Sequence, residues 1–149
     1  MNRLALTLIL FFPVQVFACM CVPESIETKF QNYPYVIYAK GTGETETSDN
    51  ASKSKFKVIK VFKGDLKKEQ TILLNTDTLT SCEGPTAGKS NYVMFVYHNE
   101  YDQLTANKCG VFEEKEKTSS NNNSENNNNN NDIPNLLKKL EGLKGKKKD

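Results

Sequence analysis

The sequence predicts a mainly β domain, a five-stranded Greek-key barrel of the oligonucleotide/oligosaccharide-binding (OB) shape with one or two short helices. Three observations carry this expectation. Five short runs rich in β-branched, aromatic and apolar residues lie between residues 35 and 107, punctuated by Gly, Pro and polar stretches, which is the pattern of strands and turns. In the second run Phe56 and Val58 share one phase while Ile59 and Val61 share the other. Such a slip marks a β-bulge or sharp bend, a device that closes small barrels. A long loop, Thr76 to Lys89, crosses between the third and fourth runs, and five short strands with one long crossing suit the Greek key.

The chain begins with a stretch that fits a signal peptide over residues 1–18. Arg3 supplies the positive start, Leu4 to Phe12 is apolar apart from Thr7, and Val16-Phe17-Ala18 meets the small-or-apolar rule of the cleavage site. The apolar run falls short of the roughly 20 residues that a membrane span needs. Export is therefore expected, to the extracellular space or a periplasm, with Cys19 as the new first residue. Glu24 to Gln31 carries Ile26 and Phe30 four apart, which predicts one or two helical turns that Pro34 ends.

Tyr35 to Lys40 is the first strand, punctuated by Gly41 and Gly43, and Glu44 to Ser54 is small and polar and reads as an exposed loop. Lys55 to Phe62 is the strongest strand, Lys63-Gly64-Asp65 a turn, and Gln70 to Asn75 the third strand. Asn91 to Tyr97 follows the crossing loop, and its residues 93–96 are apolar on both faces, which predicts burial on both. Gln103 to Asn107 is a short fifth strand leading to Cys109. Residues 19–117 thus form one domain.

Composition changes after Lys117. Residues 118–132 contain nine asparagines between Asn121 and Asn131, a polar tract that cannot bury a core and reads as a linker. Residues 133–149 form a Lys-rich amphipathic tail, with Leu136, Leu137, Leu140 and Leu143 at helical spacing among six lysines. Gly142 and Gly145 weaken that helix, so the tail is expected to be solvated and dispensable. A membrane-surface or partner contact is the weaker of the two readings.

Residues 19–117 hold 13 lysines against 14 acids, a balance of −1, and the tail holds 6 against 4. A near-neutral domain has no broad positive field to attract nucleic acid. The four cysteines Cys19, Cys21, Cys82 and Cys109 read as disulfides in an oxidising compartment. Cys19–Cys21 would close a strained ring, and the two remaining schemes both tie the N-terminal stretch to distant points. A four-cysteine zinc site would need close ligand pairs at both ends, but Cys82 and Cys109 are 27 residues apart.

No H-E-x-x-H, G-x-S-x-G, phosphate-binding glycine loop or C-x-x-C is present, so the common catalytic signatures are missing. The single histidine, His98, reads as an ordinary strand-end residue. An enzyme is not expected, nor a cofactor of its own, and binding is the better category. The candidate site is Cys19-Met20-Cys21-Val22-Pro23. After cleavage, the α-amine and carbonyl of Cys19 can close a five-membered chelate on a metal ion, and disulfides can hold that chelate rigid.

Cys19-Met20-Cys21-Val22-Pro23 resembles the mature N-terminus of the tissue inhibitors of metalloproteinases. The similarity continues through Lys29-Phe30, Val36 to Lys40, Lys60 to Gly64, Ser81-Cys82, Leu104-Thr105 and Cys109, over roughly residues 19–112. The resemblance implies the inhibitory netrin-like domain, the bridges Cys19–Cys82 and Cys21–Cys109, and a monomer. It implies that the Cys19 amine and carbonyl bind the catalytic zinc of a target metalloprotease, with Met20 entering the neighbouring specificity pocket. Cys21, Val22, Pro23, Ser81 and Cys82 complete the implied protease contact.

Two features depart from that family. Gln31 stands where it has a further cysteine, and its second, cysteine-rich domain is replaced by the asparagine tract and lysine tail. The alternatives are a netrin-like binding module that inhibits nothing and a lipoprotein acylated at Cys19. The bulky Phe17 is unfavourable for acylation, which would consume both the thiol and the amine of Cys19.

Overall fold

The computed structural model describes residues 21–48, 51–76, 84, 88–114 and 133–146. Along the chain these form helix α1 (Ile26–Asn32), strands β1 (Tyr35–Ser48), β2 (Ala51–Lys63), β3 (Thr71–Thr76), β4 (Asn91–His98) and β5 (Leu104–Thr105), a 3-10 turn at Lys108–Gly110, strand β6 (Val111–Glu113) and helix α2 (Ile133–Gly145). Hydrogen-bonded neighbours run β1-β2-β3-β5-β4-β6, and β1 also pairs with β4. The sequence of neighbours β1-β2-β3-β5-β4 thereby returns to β1. Between β3 and β5, however, the pairing is a single parallel pair, Asn75 with Thr105. The ring is only partly closed.

The phase slip in β2 is real and has two steps. Ala39 pairs with Val58 but Tyr38 with Lys60, and Ile37 pairs with Val61 but Val36 with Lys63. Ile59 and Phe62 are the extra residues, and each bends β2 further around the core. Phe56 and Val58 consequently face inward, joining Ile37, Ala39, Ile72, Leu74, Tyr92, Met94 and Val96 in one buried cluster. Phe62 points the other way, into a second cluster with Phe30, Val36, Val93 and Phe95. Residues 93–96 are fully buried, as their two apolar faces predict: Met94 and Val96 fill the inside, Val93 and Phe95 the outside.

Three expectations are corrected. Glu44 to Ser54 is no loop, because β1 runs on to Ser48 and β2 begins at Ala51. Glu46 pairs with Lys53 and Thr47 with Ser52, while Lys55 meets Glu44 at 3.1 Å and Glu46 at 3.0 Å. Alternating threonines and charges suit a strand with polar residues on both faces, and its lack of apolar residues disguised it. A three-for-one bulge at Thr42–Glu44, with Gly43 at φ 79, joins this extension to the rest of β1. Second, the fifth strand contracts to Leu104–Thr105, and after the 3-10 turn β6 takes over on β4. Among the described residues the sheet therefore has six strands rather than five.

The third correction concerns the tail. Helix α2 is docked, with Ile133, Leu136 and Leu140 buried in the second cluster and Leu137 and Leu143 packed beside them. Lys144 Nζ donates to the Val61 carbonyl at 2.9 Å, Lys139 meets Glu27 of α1 at 2.9 Å, and Lys60 pairs with Glu141. The lysine beside Glu27 holds its carboxyl below the usual range. Gly142 and Gly145 do not break the helix, since both face open space and cost only propensity, about 1 kcal/mol each. No described helix is long and apolar enough to cross a membrane.

Candidate functional site

Residues 21–25 form an exposed segment without regular structure and run into α1. Ser25 caps that helix, its Oγ accepting from the Thr28 N–H at 3.1 Å, so the segment enters α1 at a fixed angle. The Phe30 face of α1 lies in the outer cluster. Lys63 Nζ donates to the carbonyls of Phe30 and Gln31, both at 2.8 Å, satisfying acceptors that the last helical turn leaves open.

Cys21 is bridged to Cys109 across 88 residues of chain. Cys109 sits in the 3-10 turn between β5 and β6, both of which pair with β4. The bridge therefore anchors the N-terminal segment directly to the sheet. Next to it stands a residue whose role the sequence reading missed. Lys29 is only 6% exposed, and its ammonium donates to the Cys109 carbonyl at 2.9 Å and lies 3.8 Å from Glu24. A lysine is rarely so buried unless paired. This one clamps the exposed segment at Glu24 to the turn that holds Cys21. The signal was present, because Lys29 shares a helical face with Ile26 and neighbours Phe30.

Beyond the anchor, Val22 is 75% exposed, and Pro23 is exposed as well. An exposed valine followed by proline, on a segment fixed at both ends, is a rigid apolar ridge. Of the sequence-predicted site, Cys21, Val22 and Pro23 are described and contiguous. Cys19, Met20, Ser81 and Cys82 lie outside the described residues, as do the Cys19–Cys82 pairing, residues 1–18 and the tract 118–132. Among the described residues no three His, Cys, Asp or Glu side chains gather as a metal site. His98 is at the end of β4, its ring 5.4 Å from that of Tyr35 and edge-on to it.

Replacing Cys109→Ser is expected to lower stability by about 2–5 kcal/mol, since the bridge closes a long loop of a small domain. Non-reducing thermal melts of the two proteins measure this, and coincident midpoints would argue that the bridge does not stabilise the fold. No protein-family model and no curated protein matches the chain.

Proposed function

We propose that the protein is an exported inhibitor of zinc metalloendopeptidases, built on an OB-type barrel and acting through its processed N-terminus. The Cys19 α-amine and carbonyl bind the target's catalytic zinc in place of its water. Met20 enters the adjoining specificity pocket, Val22 and Pro23 lie along the cleft, and Ser81 and Cys82 form a second line of contact. The observation that carries this reading is the fastening of Cys21 to Cys109, two residues after Cys19, with Val22 left 75% exposed beyond it. Inhibition by chelation needs a donor pair held still, because ordering a loose terminus on binding would consume affinity. The bridge, the Lys29 clamp and the Ser25 cap remove that cost in advance.

The test is inhibition of a panel of zinc endopeptidases by the exported protein, whose intact mass fixes its first residue. A chain beginning at Cys19 and four hydrogens lighter than its reduced form is expected to inhibit at least one enzyme competitively. No inhibition across the panel by that species would overturn the proposal. A mass gain of a diacylglyceryl group would also overturn it, since that group occupies the Cys19 thiol and rules out the Cys19–Cys82 bridge that is to hold the chelate.

A further inference from the structure

Between the end of α1 and the end of β4 lies a groove of about 310 Å³, lined by Asn32, Tyr33, Pro34, Tyr97 and Asn107. The inhibitory reading makes no use of it. Its size is at the lower end of small-molecule sites, ~300–1,000 Å³. No charged side chain is among the described residues that line it, so an ionic ligand would find no counter-charge there.

The Tyr33 and Tyr97 rings stand 6.0 Å apart at 69°, making an aromatic corner rather than a flat stack. Tyr33 is held in place by a second edge-on contact, with Phe95 at 5.6 Å. Asn107 Nδ2 donates to the Tyr33 hydroxyl oxygen at 3.3 Å, which leaves the hydroxyl hydrogen to donate outward. Burial, with Tyr33 beside it, pushes the Tyr97 pKa up, so that hydroxyl also keeps its proton. Asn107 Oδ1 is sealed from solvent, so of the two lining carboxamides it is that of the exposed Asn32 which is open to a ligand.

We propose that this groove binds a neutral carbohydrate, with one pyranose ring against the Tyr33–Tyr97 corner and its hydroxyls bonded to the Asn32 carboxamide and the Tyr33 hydroxyl. A pyranose has an apolar C–H face for an aromatic ring and a rim of hydroxyls that both donate and accept. Carboxamides and phenols match such a rim group by group. A proline-rich segment, the other frequent occupant of aromatic grooves, offers carbonyl acceptors but no N–H at its prolines. It would leave the amide oxygen of Asn32 unanswered.

The test is NMR titration of ¹⁵N-labelled residues 19–149 with cellobiose, maltose, N,N′-diacetylchitobiose and methyl mannoside. At least one sugar is expected to shift the amides of Asn32, Tyr33, Tyr97 and Asn107, with Tyr97→Ser binding roughly tenfold more weakly and Tyr97→Phe keeping most of the affinity. Should Tyr97→Ser fail to fold, Asn32→Ala, at an exposed position, is expected to weaken binding with an unchanged melting curve. No shifts at millimolar sugar, shifts confined to other surfaces, or groove shifts with a polyproline peptide alone would each overturn the proposal. No protease enters the experiment, so its outcome is independent of the inhibitory reading.

Discussion

Deleting residues 133–149 is expected to lower the thermal midpoint by roughly 10 °C or more and to leave a protein prone to association. Ile133, Leu136 and Leu140 are buried against Val36, Phe62, Val93 and Phe95, and each such side chain contributes about 1.5–3 kcal/mol when removed from water. The ion pairs Lys139–Glu27 and Lys60–Glu141 are nearly half exposed and add little, since surface pairs are worth ~0–1 kcal/mol. Deletion also strips the cover from Val36, Phe62, Val93 and Phe95, and a loss of about 2–3 kcal/mol is expected. For a domain of this size each kcal/mol moves the midpoint by about 4–8 °C. The single substitution Leu140→Ala, at a fully buried position, isolates the packing from the chain length and is expected to cost about 2–5 kcal/mol. Lys138→Ala, on the exposed face, is the control and is expected to change nothing. Coincident melting curves for the full and truncated chains would show that α2 is not part of the stable fold.

That docking was legible in principle, from the receiving surface rather than from the helix. Strand β4 is apolar on both faces, and Phe62 and Val36 add to its outer side. Helix α1, at seven residues, is too short to cover all four side chains, so a second cover was required. The leucine spacing of the tail supplies it. Weight given to Gly142 and Gly145 hid this, because helix propensity is a small term beside apolar burial. The β1–β2 extension failed for the opposite reason. Its strand residues bury no apolar side chain, Ser54 being the buried one, and the apolar pattern that reveals a strand is produced by apolar burial. The β-bulge was readable because it changes which face is buried midway along β2.

The exposed segment was legible as a motif, but its rigidity was not. Spacing alone shows two cysteines one residue apart, and only the fold brings Cys109, Lys29 and Glu24 around Cys21. Lys29 shares a helical face with Ile26, which is a local sign of burial, but nothing local reveals that a carbonyl 80 residues away will accept from it. Long-range partners of this kind follow from topology, here from the turn between β5 and β6 lying beside α1.

Adding one alanine before Cys19 is expected to abolish most metalloprotease inhibition, raising the inhibition constant about 100-fold or more, while the melting midpoint stays where it was. The extra residue converts the Cys19 amine into an amide, whose lone pair is delocalised into the carbonyl and is a far poorer metal donor. It also adds up to ~3.6 Å of chain ahead of Cys19, so that Met20 is displaced from the specificity pocket. A 100-fold loss corresponds to about 2.8 kcal/mol. The fold has no reason to respond, since Cys21 remains bridged to Cys109 and Lys29 remains on the Cys109 carbonyl. The native form carries a second signature in its pH dependence. A free α-amine titrates near pH ~7.7–8.0 and must lose its proton to bind zinc. Inhibition is therefore expected to strengthen as pH rises towards 8 and to weaken about tenfold per unit well below it, when corrected for the protease's own titration. The extended form has no such amine on Cys19 and is expected to lack this dependence. Full inhibition by the extended protein, with the same pH profile as the native one, would eliminate the chelate and leave Val22 and Pro23 as an ordinary protein contact.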